Sequence, residues 1–328
     1  MPEIYDLIII GGGPIGMTCA IAAQRAGLQY LVLEKGALVN SLFHYPLHMT
    51  FFSTAERLEI GGIPFTCTAP KPGRQEALEY YRNIQRHFGL NIHLYEKVER
   101  TERLDDGSFR VTSAGAAYRA AHVIAATGFY DIPFRLDVPG EELPKVRHYF
   151  TEAHAYAFRN VLVVGANNSA VDAALECWRK GADVTMVIRG GAIHSRVKYW
   201  VKPDIENRIA EGSIRACFYS TVQEIREHEV VVHTPEGMMT VANDFVLAMT
   251  GYQPDFAFLR SMGVALSDDG LQVPQYDPAT METNIPGLYL AGVVCGGMET
   301  HKWFIENSRV HAELIIRAIT AGRGNLRG

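Results

Sequence analysis

The sequence predicts an α/β protein built from two doubly wound units, with the second unit inserted into the first. Three observations predict this. A glycine-rich turn stands between an apolar run and a helical pattern near the start of the chain. The same arrangement recurs in the middle of the chain. Two apolar runs, each ending in Thr-Gly, bracket that second copy.

The first copy is complete as a βαβ unit. Residues Tyr5–Ile10 are short, apolar and β-branched, the pattern of a buried strand. Gly11, Gly13 and Gly16 follow at G-x-G-x-x-G spacing within GGGPIG. A helical pattern runs from Pro14 to about Arg25 and stops at Gly27. A second apolar strand, Gln29–Leu33, ends in Glu34. Each glycine has a separate task in such a turn. Gly11 makes the tight bend, Gly13 lets backbone approach a pyrophosphate, and Gly16 lets helix and strand pack closely. The helix N-terminus then faces the anion. Glu34 can accept hydrogen bonds from a ribose. The isolated glycine motif is weak evidence, but the strand, helix, second strand and terminal acid together are specific.

In the second copy Asn160–Val164 is the strand, GANNSA (165–170) the turn, and a helix runs to about Lys180. Gly181 stops it, and Asp183–Ile188 is the next strand. This copy ends in Arg189 instead of an acid. Arg189 lies 24 residues after Gly165, and Glu34 lies 23 after Gly11, so the two hold matching places. An acid suits a free 2′-hydroxyl, whereas arginine suits a 2′-phosphate. The first site therefore reads as FAD and the second as NADPH. Arg196 and Lys198 lie nearby and add candidate phosphate contacts. They are equally well read as a solvated basic loop. Asn167 replaces the middle glycine, which weakens the second motif on its own.

Between and around these units the chain supplies further elements. Gln75–Phe88 has a helical period. Asn91–Arg100 and Ser108–Ser113 alternate as strands about an Asp106-Gly107 turn. Val123–Gly128 and Phe245–Gly251 are the exit and return strands of an insertion, with Pro133 and Pro254 just outside them. Gly287–Val294 is another buried strand, and a final helix is expected over about Trp303–Ala321. The domain expectation is 1–128 with 252–328 for FAD and 129–251 for NADPH.

Bulk properties exclude several classes. A chain of 328 residues with 48% hydrophobic and 20% charged residues is an ordinary globular protein. A net charge of −5 gives no footprint for nucleic acid. The run Leu7–Ile10 is too short for a signal or a membrane span, so no membrane partner and a cytoplasmic location are expected. The five cysteines, Cys19, Cys67, Cys177, Cys217 and Cys295, contain no C-x-x-C, so neither a local metal site nor a dithiol pair is expected. Most read as buried small hydrophobes, with Cys67 the one most open to solvent.

With GGGPIG and Glu34, AATG (125–128), GANNSA, TGYQPD (250–255) and GLYLAG (287–292) in this order, the chain resembles the thioredoxin-reductase-type flavoproteins over nearly all its length. That resemblance implies an FAD site taking in Gly11, Gly13, Pro14, Ile15, Gly16, Glu34, Lys35, Ser41, Thr50, Val98, Thr127, Gly128, Gly292 and Val293. It implies an NADPH site formed by Gly165, Asn167, Asn168, Ser169, Ala170, Arg189, Arg196, Lys198, Thr250 and Gly251. Two departures stand out. Val293 replaces the aspartate that usually follows the last glycine. The stretch before the second motif, 147–160, has no cysteine where thioredoxin reductases carry their dithiol, so the usual relay to thioredoxin is absent.

The segments HMTFFSTAERLEIGG (48–62), VKYWVKPDIENRI (197–209) and FIENSRVHAE (304–313) are similar to the bacillithiol disulfide reductase family of YpdA type. This resemblance implies an NADPH-dependent FAD enzyme that reduces a low-molecular-weight disulfide without a C-x-x-C. Hydride would pass from NADPH to FAD after the inserted domain rotates about its Thr-Gly linkers, and two electrons would then pass to the disulfide. Members of that family carry a cysteine beside the flavin, between the positions of Pro14 and Gly16. Here that residue is Ile15. Cys19, one turn further along, is expected to be inert. His48, Thr50, Ser53 and Cys67 are candidate groups on the substrate side. Phe51 and Phe52 read as core, and Tyr199-Trp200 as a packed surface loop. Two alternatives are a flavin monooxygenase, suggested by ATGFYDIP although the FxGxxxH signature is missing, and a ferredoxin- or flavodoxin-NADP reductase. A non-catalytic nucleotide sensor is a third. Analogy of fold allows a homodimer.

Overall fold

The structure is a computed structural model and describes residues 4–324. The chain folds into two compact units, Met1–Ile132 with Gln253–Gly328, and Pro133–Tyr252.

In the first unit the strand Ile4–Ile10 lies at the centre of a sheet. Its parallel neighbours are Tyr30–Leu33 on one side and Ala117–Ala125 on the other. The fully buried Leu7, Ile8 and Ile9 explain the continuous apolar run, since a parallel strand is covered on both faces. Ala117–Ala125 has two kinds of partner on its far edge. Its early residues pair antiparallel with Phe109–Ser113, and its last three pair parallel with Leu288–Leu290. The strand therefore starts earlier than the expected Val123 and stops before Thr127. The alternation of Asn91–Arg100 conceals a break. Tyr95 adopts φ +57°, and its N–H donates to Gly36, so Ile92–His93 and Val98–Arg103 are separate strands.

The helix Arg74–Phe88 follows its expected period and buries Ala77, Tyr81 and Ile84. The last helical stretch is two helices, Ile305–Ser308 and Val310–Gly324. Asn307 accepts the Phe304 N–H and the Ser308 hydroxyl donates to the Phe304 carbonyl, closing a single turn before the long helix begins. Gly287–Val294 is likewise shorter as a strand, Leu288–Leu290, and is followed by a 3₁₀ turn over Val293–Gly296.

The second unit repeats the plan. Arg215–Cys217, Asp183–Val187, Asn160–Val164, Phe245–Ala248 and Val146–Arg147 form a parallel sheet in that order. A three-stranded antiparallel sheet, Thr221–Ile225, Glu229–Thr234 and Gly237–Ala242, adds a layer that the two-copy reading of the sequence did not include. Its middle strand carries the buried run Val230–Val232. No helix among the described residues is long and apolar enough to cross a membrane.

The glycines of the first turn differ in what surrounds them. A Cβ on Gly16 would lie 1.9 Å from the Gly11 carbonyl oxygen, whereas one on Gly13, at φ −74°, would meet nothing within 4 Å. Gly16→Ala is therefore expected to destabilise the apoprotein by about 1–3 kcal/mol, the usual cost of overpacking. Gly13→Ala should cost less, about 0.5–1 kcal/mol, because it meets no neighbour but replaces a favourable N-cap residue with a poor one. Urea denaturation of the two variants checks the contrast, and equal losses would contradict it.

Candidate functional site

In the first unit the glycine turn is set by close backbone contact. Gly11 adopts φ +111°, and a Cβ there would lie 2.4 Å from the Ala126 oxygen and 3.5 Å from the Thr127 Cα. The Ala126 N–H donates to Ile10 at 2.8 Å, so the ends of the two central strands meet at this turn. Thr127 and Gly128 leave the sheet here. Gly128 has φ +74°, and a Cβ on it would lie 3.9 Å from the Ser41 Oγ. Gly13 caps the helix Pro14–Arg25 without a side chain, and Pro14 occupies the first turn. The first N–H groups of that helix therefore carry the positive end of the dipole beside open space at Gly13. This combination of a positive helix end and room for close approach fits a pyrophosphate.

Glu34 is only 5% exposed. Its Oε2 accepts the Gly12 N–H at 2.6 Å and its Oε1 accepts the Gly36 N–H at 2.9 Å. Burial pushes its pKa up, and these two bonds oppose that shift. An ionised carboxylate offers about four acceptor positions. Two are used to hold the turn, which leaves capacity for a ribose. Lys35 pairs with Asp131 at 2.5 Å, so its ammonium reaches toward the segment after Gly128.

Val39 was not anticipated as part of this region. It is buried, its N–H donates to Gly12 at 3.2 Å, and it adopts φ +50°. A β-branched residue in the left-handed region is strained, and strain of this kind clusters at ligand sites. No local pattern points to it, because valine is an unfavourable choice there. Val98 is buried at the start of its strand, opposite Ser113.

The other side of the first helical turn faces Gly292. A Cβ on Gly292, at φ +86°, would lie 3.4 Å from the Ile15 side chain. The Ala291 N–H donates to Ala125 at 3.1 Å, and the Gly292 N–H donates to His311 Nδ1, also at 3.1 Å. Ile15, Gly292 and the partly exposed Val293 are thus brought together although they are distant in the chain.

The thiols are poor nucleophiles. Cys19 is fully buried, and burial pushes its thiol up to about 12. Cys177 is likewise pushed up to about 12, and Cys295 is pushed up further. The half-buried Cys67 donates its S–H to the Ala69 carbonyl, and its pKa is raised by burial first, then by Glu76 and Glu56. Cys217 is also raised by burial. A thiolate is the reactive form, and each of these environments disfavours it. Of the other substrate-side candidates, His48 is exposed, Ser53 is half-buried, and the backbone of Thr50 bridges to Gly73. Phe51 is core, but Phe52 is 59% exposed with the Lys71 ammonium 4.8 Å from its ring, which corrects the expectation for that residue. Tyr199 and Trp200 are exposed at the surface.

The second unit uses the same steric device. Gly165 adopts φ +131°, and a Cβ there would lie 2.6 Å from the Met249 oxygen. Ala170 stands where the third glycine would be, 3.1 Å from that same Cβ position, and is buried. Asn167 caps the helix Asn168–Arg179 with its own side chain. Ser169 is exposed in the first turn. Asn168 ties down the following loop, donating to the Arg196 carbonyl at 3.1 Å and accepting the Lys198 N–H at 2.9 Å.

Two expected contacts are already engaged. The buried Lys198 ammonium pairs with Asp172 at 2.8 Å. The Thr250 hydroxyl donates to the Phe134 carbonyl at 2.6 Å, beside Gly251, which accepts the Phe134 N–H. Both are struts in this structure, because a buried ammonium needs its counter-charge and a hydroxyl has one proton to donate. Arg189 and Arg196 are exposed and form no ion pair among the described residues, so they remain available to an anion.

The pyridine nucleotide-disulphide oxidoreductase family model matches residues 8–292. Bacilliredoxin reductase Bdr of Bacillus subtilis is 43% identical over 305 residues, covering 93% of this chain and 94% of the relative. The solved structure of bacillithiol disulfide reductase Bdr (YpdA) from Bacillus cereus superposes with a TM-score of 0.95 at 41% identity, covering 98% of this chain and 100% of the other. That from Staphylococcus aureus gives the same score and coverage at 38% identity. With two glycine turns of matching construction and these relatives, the chain belongs to the bacillithiol disulfide reductase (YpdA) group of the pyridine nucleotide-disulphide oxidoreductases, and is an oxidoreductase whose cofactors are FAD and NADPH.

Proposed function

We propose that this chain uses NADPH to reduce the disulfide of a low-molecular-weight thiol, bacillithiol disulfide above all, with no protein thiol taking part. Its reaction is NADPH + H⁺ + RSSR → NADP⁺ + 2 RSH. When bound, FAD supplies the capacity to take two electrons from one partner and deliver them to another. The protein's share is to bind, orient and exclude. The observation that carries this reading is Ile15. It occupies the one position beside the first helix where the family resemblance implies a cysteine, and it packs against Gly292. Cys19, one helical turn beyond Ile15, and Cys295, three residues after Gly292, are fully buried with raised pKa.

In this reading Gly11, Gly13, Pro14, Ile15 and Gly16 receive the FAD pyrophosphate at the helix N-terminus. Glu34 takes the ribose with its remaining acceptor positions. Lys35, Ser41, Thr50, Val98, Thr127, Gly128, Gly292 and Val293 complete the surroundings. Gly165, Asn167, Ser169 and Ala170 receive the NADPH pyrophosphate, and Arg189 with Arg196 reads its 2′-phosphate. Asn168, Lys198, Thr250 and Gly251 hold that site in shape. His48 and Ser53 stand as polar groups available to the substrate. The reading goes with a cytoplasmic setting, where small thiols are kept reduced, and with a homodimer by analogy of fold.

The test is anaerobic NADPH oxidation by the purified holoprotein with bacillithiol disulfide, glutathione disulfide, cystine and ferredoxin offered in parallel. Bacillithiol disulfide should turn over fastest. Turnover confined to ferredoxin, or appearing only when oxygen is admitted, would replace this reading with one of the two alternatives. Cys67→Ser should leave kcat within about twofold, since a thiol of raised pKa outside the reaction contributes nothing. A loss on the order of 100-fold would restore a protein thiol to the mechanism.

Arg189→Ala should raise KM for NADPH by about 10-fold or more, the loss of a hydrogen bond to a charged group. KM for NADH should move less than about twofold, because no 2′-phosphate is present to lose. Steady-state kinetics with both dinucleotides decide it, and equal effects would remove Arg189 from the phosphate site.

A further inference from the structure

His311 is a histidine that the proposed reaction leaves unused. It lies in the helix Val310–Gly324 and is 1% exposed. Its Nδ1 accepts the Gly292 N–H at 3.1 Å. An incoming N–H requires a bare lone pair, so the neutral ring carries its proton on Nε2. The Trp303 ring meets the imidazole edge-on at 4.6 Å, and the Cys295 sulfur lies 3.9 Å from Nδ1. Both neighbours are uncharged. Burial lowers the His311 pKa to about 4, which keeps that lone pair available at neutral pH.

This bond falls on a backbone group with few other means of support. Gly292 adopts φ +86°, its carbonyl accepts the Cys295 N–H at 3.2 Å, and the preceding N–H, that of Ala291, is held by Ala125. Gly292 is buried, and an unpaired buried N–H would be costly. The next residue, Val293, has no polar side chain with which to hold the turn. His311 therefore fixes the backbone of the turn that meets Ile15.

We propose that His311 is the positioning residue of the Gly292–Gly296 turn, holding its backbone in the orientation that receives FAD. This rests on the reading that the turn lines the FAD site. His311→Phe keeps the ring and the Trp303 contact but removes the acceptor. His311→Asn places an amide oxygen where Nδ1 stood. Both are prepared as apoproteins and titrated with FAD, and amide hydrogen exchange over 293–296 is followed in the wild type.

FAD should slow exchange in the wild-type turn. His311→Phe should weaken FAD binding tenfold or more and shift the bound flavin's visible absorption band, while His311→Asn should restore both to within threefold of the wild type. Wild-type affinity in His311→Phe, or equal weakening in both variants, overturns the role of His311 while leaving the turn in the FAD site. No change in wild-type exchange on adding FAD overturns the placement of the turn, and this proposal with it. Should His311→Phe fail to fold, the imidazole ¹⁵N spectrum of the wild type decides. An Nε2–H tautomer is the expected result, and an Nδ1–H tautomer overturns the assignment.

Discussion

The constraint on which the rest depends is the approach of a glycine to the carbonyl just past the end of a neighbouring strand. Gly11 lies against Ala126 in the first unit and Gly165 against Met249 in the second, each at a spacing that excludes a Cβ. This contact places the glycine turn, the helix N-terminus and the Thr-Gly exit at one edge of each sheet. A fold that met it with any other residue would have to part the two central strands. Ligand-binding geometry at strand ends is the general property of open parallel sheets, and here a backbone clearance produces it twice.

The two copies meet the same constraint with different chemistry around it. The first leaves Gly13 open and uses Glu34 as an internal tie between Gly12 and Gly36. The second caps its helix with Asn167 and secures its loop through Asn168 and the Lys198–Asp172 pair. One site is thus held by a buried acid, and the other ends in exposed arginines. That difference in charge suits two dinucleotides that differ at the 2′ position.

Much of this could be read in advance. The strands Ile4–Ile10 and Asn160–Val164 and the helices that follow them come from local periodicity and glycine spacing, and they stand close to where the sequence sets them. Elements whose pattern continues through a break divide in the structure where the sequence predicts one element. The alternation of Asn91–Arg100 runs across the left-handed Tyr95, and the helical period after Trp303 runs across the one-turn helix closed by Asn307 and Ser308. In both cases a side-chain or backbone bond ends the element without changing the hydrophobic pattern.

By itself the sequence determined the two βαβ units, the spacing of their glycine turns, and the absence of a local dithiol, because these depend on residues close together in the chain. Only the tertiary structure decided how the polar groups are engaged. It sets Lys198 on Asp172, Thr250 on Phe134, and the Gly292 N–H on His311. The reason is physical. A buried donor or charge must find its partner within hydrogen-bonding reach, and that partner is chosen by packing among segments far apart in sequence.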